Sequence, residues 1–433
     1  MSDTPPPSPR PGNRRALLIV FLVVFVDLLG FGVVLPLLPL LGKGYAEPWL
    51  GGDKVLSGVL VGLLMASFSA MQFVFSPVWG RVSDRVGRRP VLLIGLAGSV
   101  VFYALLGAAL LLPSDQAGLA LALLFAARIG AGVSGATIAT AQAVIADSTP
   151  PEKRKLGMAL VGAAFGIGFT FGPLIGALCL AIAPGRPELI GFAAAGLSLV
   201  ALILGVVLLP ETRVFGGEPT GKRWVPWRAW ASVLGHPALG PVVLTFFLAS
   251  LGFASFEVTL SLMNRDALGL PENQNYLMFA YVGFVLMLAQ GGLYRPLANR
   301  LSEAAFMSLG IALMAVGLAA LAGLNWLVAD GGLTYPARLA WMMVGATVAV
   351  VGFAFLTPSA QALISRRADP ERQGEVLGVN QAASALARIL GPVVGLTLYD
   401  LTRDHLLPYT FAAALLLAML PLMARVRRGD VPA

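Results

Sequence analysis

Gly80-Arg81-Val82-Ser83-Asp84-Arg85-Val86-Gly87-Arg88-Arg89-Pro90-Val91-Leu92-Leu93 is a short, strongly basic stretch between two long runs without charge, near residues 55–79 and 90–112. Each run is as long as the about 20 residues that an α-helix needs to cross a bilayer core. Between them lie four arginines, Arg81, Arg85, Arg88 and Arg89, and one acid, Asp84. Charge confined to such a joint is the pattern of two membrane helices connected at the cytoplasmic face, where Lys and Arg collect. At that boundary an ionised Asp84 is cheap, because it can pair with a cation or with backbone donors at a helix start. Gly80 and Gly87 allow a tight turn there.

The rest of the chain repeats the pattern. Of its 433 residues 57% are hydrophobic and 12% charged, and the mean hydropathy is +0.82. A soluble chain would carry about a quarter of its residues as charges. So few cannot cover a watery surface, so lipid must cover much of the exterior. Spans are expected near 16–41, 55–79, 90–112, 118–146, 156–182 and 189–209, then near 241–263, 275–294, 304–326, 337–364, 376–399 and 407–424. This predicts an all-α membrane protein of twelve transmembrane helices in two six-helix halves. Residues 16–209 form the first bundle and 241–424 the second. Residues 1–15 form a disordered cytoplasmic arm, 210–240 a cytoplasmic connector and 425–433 a cytoplasmic tail. The run from Ala16 to Leu41 is too long for a signal-peptide core, and no small-residue cleavage site follows it.

The formal charge of +8 does not point to nucleic acid, because the basic residues sit between apolar runs. With the N-terminus inside, the inner segments hold about 22 Lys and Arg, and the outer ones about six: Lys43, Lys54, Arg186, Arg265, Arg338 and Arg403. That bias places both termini in the cytoplasm and requires an even number of spans. The connector brings Trp224, Trp227 and Trp230 together with Lys222, Arg223 and Arg228, a mixture suited to the headgroup layer; a partner-binding helix is the alternative. The single Cys179 allows no intramolecular disulfide and no cysteine metal cluster. Neither a nucleotide loop nor a nucleophile motif nor a His-rich metal site stands out, and no cofactor is implied, so an enzyme or a receptor is not expected.

The halves also resemble each other. Pro151-Glu152-Lys153 precedes Gly172-Pro173-Leu174-Ile175-Gly176, and Pro370-Glu371-Arg372 precedes Gly391-Pro392-Val393-Val394-Gly395, both pairs offset by about 219 residues. Val82-Ser83-Asp84-Arg85-Val86 has a weaker copy in Leu297-Ala298-Asn299-Arg300-Leu301. Parallel six-span repeats match one architecture of secondary transporters, with the solute site at mid-membrane between the halves.

On these residues the chain resembles the major facilitator superfamily. Gly80 to Arg89 is similar to its signature G-x-L-x-D-R-x-G-R-[KR], with Val82 for the usual Leu. The resemblance implies that Gly80, Asp84, Arg85, Gly87, Arg88 and Arg89 form a latch holding the halves in one conformation. Arg128 to Ala136 (RIGAGVSGA) resembles the second motif, R-x-x-x-G. Gly166 to Ala177 (GIGFTFGPLIGA) resembles the G-x(n)-G-P-x-x-G motif of exporters that exchange solute for protons, implying that role for Gly166, Gly172, Pro173 and Gly176. Glycines with a proline on one helix also give a bendable, closely packing face. Within the superfamily the chain is similar to the twelve-span drug:proton antiporters, tetracycline-efflux-like proteins among them, in Val26 to Leu41 and Gly132 to Asp147. It departs from them in having Asn299 and Glu303 in the second signature copy and no acid in span three, which speaks against tetracycline itself as the solute.

A charge at mid-bilayer costs about 2.5–3.5 kcal/mol on insertion scales, so each ionisable group in a span is a functional candidate. Four stand out: Asp27 in span one, Arg128 in span four, Glu257 in span seven and Arg388 in span eleven. Asp27 or Glu257 can carry a proton, or Asp27 can form a salt bridge with Arg128. Glu257 can instead snorkel outward, and Arg388 can pair with a carbonyl or a carboxylate. Gln72, Gln142, Gln290, Gln361, Asn380 and Gln381 can line a cavity or bond between helices, and Phe165, Phe169, Phe253, Phe256 and Tyr281 can form a pocket or simply pack. The function expected is a proton-coupled antiporter exporting small amphipathic compounds. The alternative is a facilitator or proton symporter importing a sugar, amino acid or organic acid. The partners expected are a small-molecule substrate, protons and the lipid bilayer, with the chain a monomer in the bacterial plasma membrane.

Overall fold

Uncharged runs become helices here because a helix satisfies every backbone group within its own segment, which lipid cannot do. The computed structural model describes residues 21–22, 25–26, 28–30, 32–137, 140–141, 143–145, 154–212, 227–298, 300–369 and 372–428. Nine of its helices are long and apolar enough to cross a membrane, and the pair α1 (Leu28–Val34) and α2 (Leu38–Trp49) makes a tenth, broken span. Two shorter apolar helices, Ile167–Ile182 and Leu407–Met423, complete the expected order among the described residues. The first half continues with α3 (Lys54–Val86), α4 (Arg88–Ala109), α5 (Ala117–Ser134), α6 (Arg154–Ile182) and α7 (Glu188–Leu208). After α8 (Trp227–Gly235) the second half comprises α9 (Gly240–Leu268), α10 (Glu272–Leu288), α11 (Glu303–Ala329), α12 (Tyr335–Arg367), α13 (Gln373–Leu401), α14 (Leu407–Ala418) and α15 (Leu420–Arg428). A π-helical stretch, Ala289–Tyr294, extends α10.

Several boundaries differ from expectation. The first span does not end at Leu41. It turns at Leu35–Leu37, around Pro36, and resumes as α2. The basic joint is not a loop: α3 runs through Asp84 to Val86, α4 begins at Arg88, and Gly87 alone turns the chain at φ 108°. Gly80 therefore turns nothing; it is helical, and open space lies where a side chain would be. Caps mark other ends, with Asp53 accepting from the Leu56 N–H and Ser302 from the Ala305 N–H.

Side chains such as Ile182 and Val207, 74% and 73% exposed, face outward where lipid replaces a protein partner. Within the halves α4 packs on α5 and α7, α11 on α12, and α9 on α13. Across the halves α3 packs along α13 and α6 along α10. Small residues permit these crossings. A Cβ at Gly62 would lie 2.7 Å from the Val393 Cα, and one at Gly283 would lie 2.6 Å from the Phe169 carbonyl oxygen.

Candidate functional site

Four segments from both halves line one cleft. Gly32 and Leu35 come from the broken first span, Phe169 and Pro173 from α6, Phe253, Phe256, Glu257 and Leu260 from α9, and Phe279, Val282, Gly283 and Leu286 from α10. The spacing explains the convergence: Phe253, Phe256 and Leu260 flank Glu257 at helical intervals, and the α10 residues recur at three and four. Pro173 has no N–H to offer the Phe169 carbonyl. That carbonyl is the one against which Gly283 of the other half lies. Phe253 also stacks on Phe353, ring centroids 3.9 Å apart. Among the described residues Glu257 is the sole charged group in this lining. It is half-buried and turned into the cleft rather than outward to the interface.

The other three candidates have different settings. Arg388 lies midway along α13, yet its side chain is exposed; it donates to Ser384 Oγ at 3.1 Å and lies within electrostatic reach of Glu257. Arg128 is 2% exposed; it donates to the Met65 carbonyl at 3.5 Å, and its guanidinium sits 4.5 Å from the Phe68 ring centroid. Asp27, its expected salt-bridge partner, falls outside the described residues, as do Gln142 and Asn299. Gln72 bonds between helices, donating to the Gly135 carbonyl at 3.2 Å, and the Tyr281 hydroxyl bonds to Thr347 Oγ1 at 2.6 Å.

The Gly-Pro helix divides its faces. Gly172 meets Gly32 of the first span, Pro173 lines the cleft, and Gly176 lies against the Tyr276 ring of α10. Gly166 lies on the same helix.

At the joint, Arg88 bonds to Asp84 Oδ1 at 2.5 Å and to Ser83 Oγ at 2.7 Å. Arg85 is exposed. The Glu211 carboxylate accepts from the Arg88 and Arg89 N–H groups at 2.9 and 3.1 Å and from Thr212 N–H at 3.0 Å. Arg89 in turn donates to the Leu209 and Val206 carbonyls. Glu211 thus caps α4 with a charge and ties the joint to the end of α7. In the sequence Glu211 stands at the start of the connector, with no local sign of this role.

At the opposite end of α3 the halves meet through polar groups that the sequence also left unmarked. Lys43 pairs with Asp400 at 2.5 Å, the two side chains 3% and 2% exposed. Tyr276 Oη donates to the Val33 carbonyl at 2.8 Å, and Asn275 Nδ2 to the Pro36 carbonyl at 3.3 Å.

A family model described as Major Facilitator Superfamily matches residues 20–392 and 293–433. The tetracycline resistance protein, class C, of Escherichia coli is 31% identical over 421 residues, covering 95% of this chain and 97% of that one. Major facilitator superfamily domain-containing protein 10 of Mus musculus is 29% identical over 450 residues, covering 95% and 93%. The crystal structure of the human organic anion transporter MFSD10 (TETRAN) superposes with a TM-score of 0.65 at 26% identity, covering 96% of this chain and 100% of that one. A D-xylose-proton symporter superposes at 0.76 with 16% identity over 96% and 98%, which is a likeness of fold alone.

Proposed function

The chain belongs to the major facilitator superfamily, and from that premise we propose that it is a proton-coupled antiporter exporting small amphipathic compounds across a bacterial plasma membrane. It is a membrane transporter, and both termini are assigned to the cytoplasm on the Lys and Arg bias. One observation carries the proposal: Glu257 is the charged group of a phenylalanine-walled cleft that Pro173 of the Gly-Pro helix also lines. Aromatic walls suit an apolar body, and a lone carboxyl suits either a proton or a polar end of the solute. If solute and proton compete for that carboxyl, linkage makes each expel the other, which is exchange. Arg388 lies within electrostatic reach of that carboxyl. Asp27 is assigned a second acidic role, Arg128 a supporting one, and Gly80, Asp84, Arg85, Gly87, Arg88 and Arg89 the latch. The names of two relatives, a tetracycline resistance protein and an organic anion transporter, agree with movement of small organic solutes.

The test is a whole-cell assay in a strain lacking its own exporters. Expression is expected to lower accumulation of a fluorescent amphipathic dye, and collapse of the proton gradient to restore it. Dye efflux that continues after collapse would refute the coupling, and accumulation raised by expression would favour import.

A further inference from the structure

Beyond one end of the cleft the halves are joined by contacts that the proposed function does not use. Lys43 on α2 and Asp400 near the end of α13 are 357 residues apart, belong to different halves and are almost wholly withdrawn from solvent. The Lys43 ammonium also lies 5.5 Å from the Tyr399 ring centroid, and Tyr399 Oη donates to Asp266 on α9 at 3.0 Å. Beside the pair the backbones nearly touch: a Cβ at Gly58 would lie 2.6 Å from the Leu396 carbonyl oxygen and 2.8 Å from Asp400 Oδ2. One turn further in, the break in the first span frees carbonyls that its own helix would otherwise engage. Two of them, at Val33 and Pro36, are engaged by Tyr276 and Asn275 of the second half. Asn264 Nδ2 donates to Asn275 Oδ1 at 2.7 Å and holds that amide in position.

A permanent seal would be better made of apolar side chains, because withdrawing two ions from water costs more than their attraction readily returns. A seal that opens has the opposite need. When the halves part, water hydrates the ammonium, the carboxylate and the freed carbonyls, and the open state is not left with exposed apolar surface. We propose that Lys43 and Asp400 are the gate of the transport cycle at this mouth, with Asn275 and Tyr276 as its inner catches on the broken span. The inference rests on the transport across the membrane proposed above, though not on its solute or its coupling ion.

The test reads opening directly and needs neither solute nor gradient. In a Cys179→Ser background, Val282→Cys places one thiol in the cleft lining, and a membrane-impermeant maleimide is applied to each face of the membrane separately. Asp53→Cys, at an exposed position close to the gate, identifies which face carries it. With the gate intact, Val282→Cys is expected to label slowly from that face. Asp400→Asn is expected to raise the rate at least about tenfold, equivalent to about 1.4 kcal/mol, and Lys43→Met to do the same where Asp400→Asn fails to insert. The double exchange Lys43→Asp with Asp400→Lys is expected to return the rate to within about threefold of the parent. An unchanged rate in an inserted single variant, or an exchange variant that labels as fast as the single ones, would overturn the proposal. Failure of dye export beside the expected labelling pattern would refute the solute or the coupling and leave the gate standing.

Discussion

Glu257→Gln separates coupling from movement. Glutamine keeps the shape of glutamate and one acceptor oxygen, so the phenylalanine walls keep their packing, but it cannot release a proton. Arg388 loses its charge partner, yet its guanidinium is exposed and already bonded to Ser384, so the variant is expected to insert normally. In the exchange proposed above, one carboxyl passes one proton per cycle, and with an uncharged dye that proton is the net charge moved. One charge falling through 100 mV yields about 2.3 kcal/mol. At about 1.4 kcal/mol per tenfold, that sustains a solute gradient of roughly 40-fold. The assay is reconstitution in vesicles under an imposed 100 mV potential, with the steady-state dye ratio as readout and solute-for-solute exchange without a gradient as control. The parent is expected to approach roughly 40-fold. Glu257→Gln is expected to hold no more than about twofold while exchange persists, since binding and rocking do not need the proton. A Gln variant that still sustains tenfold would refute the assignment of the proton to Glu257.

Asp27→Asn is expected to abolish proton-dependent transport with the protein inserted at parental levels, and normal transport would end the role given to Asp27. Asp84→Asn removes a charge-assisted bond to Arg88, a contribution of about 1.5–3 kcal/mol in its full form, and is expected to slow turnover about tenfold while the half-saturating solute concentration moves less than about twofold; unchanged turnover would remove the latch. Glu211→Gln keeps one acceptor for three backbone donors and loses the charge at the start of α4, so about 1–2 kcal/mol of stability should go. Thermal unfolding in detergent checks this, and a midpoint equal to the parent's would show that water replaces the cap.

Hydrophobic run length and the placement of arginines made the spans legible, because lipid enforces both. They marked where the membrane ends, not where the helices end. The headgroup layer accepts charged helical turns, so α3 continues through Ser83 and Asp84 although the apolar run stops near Trp79. The composition of the cleft was legible in part for a related reason. Glu257 stands out as a charge among apolar residues, and its neighbours Phe253 and Phe256 follow from helical spacing. Phe279, Val282 and Leu286 were not singled out, since an apolar residue in an apolar helix gives no local sign of facing a cavity rather than lipid. Nor does any local pattern join Lys43 to Asp400. Each looks like an ordinary charge near a span end, and only the approach of α3 to α13 through Gly58 and Gly62 makes them partners. A contact of that kind also belongs to one arrangement of the halves. Residues that act by meeting and parting need only be near each other for part of a cycle, so their signature lies in the closeness of the glycines beneath them, whose small size the closed arrangement requires.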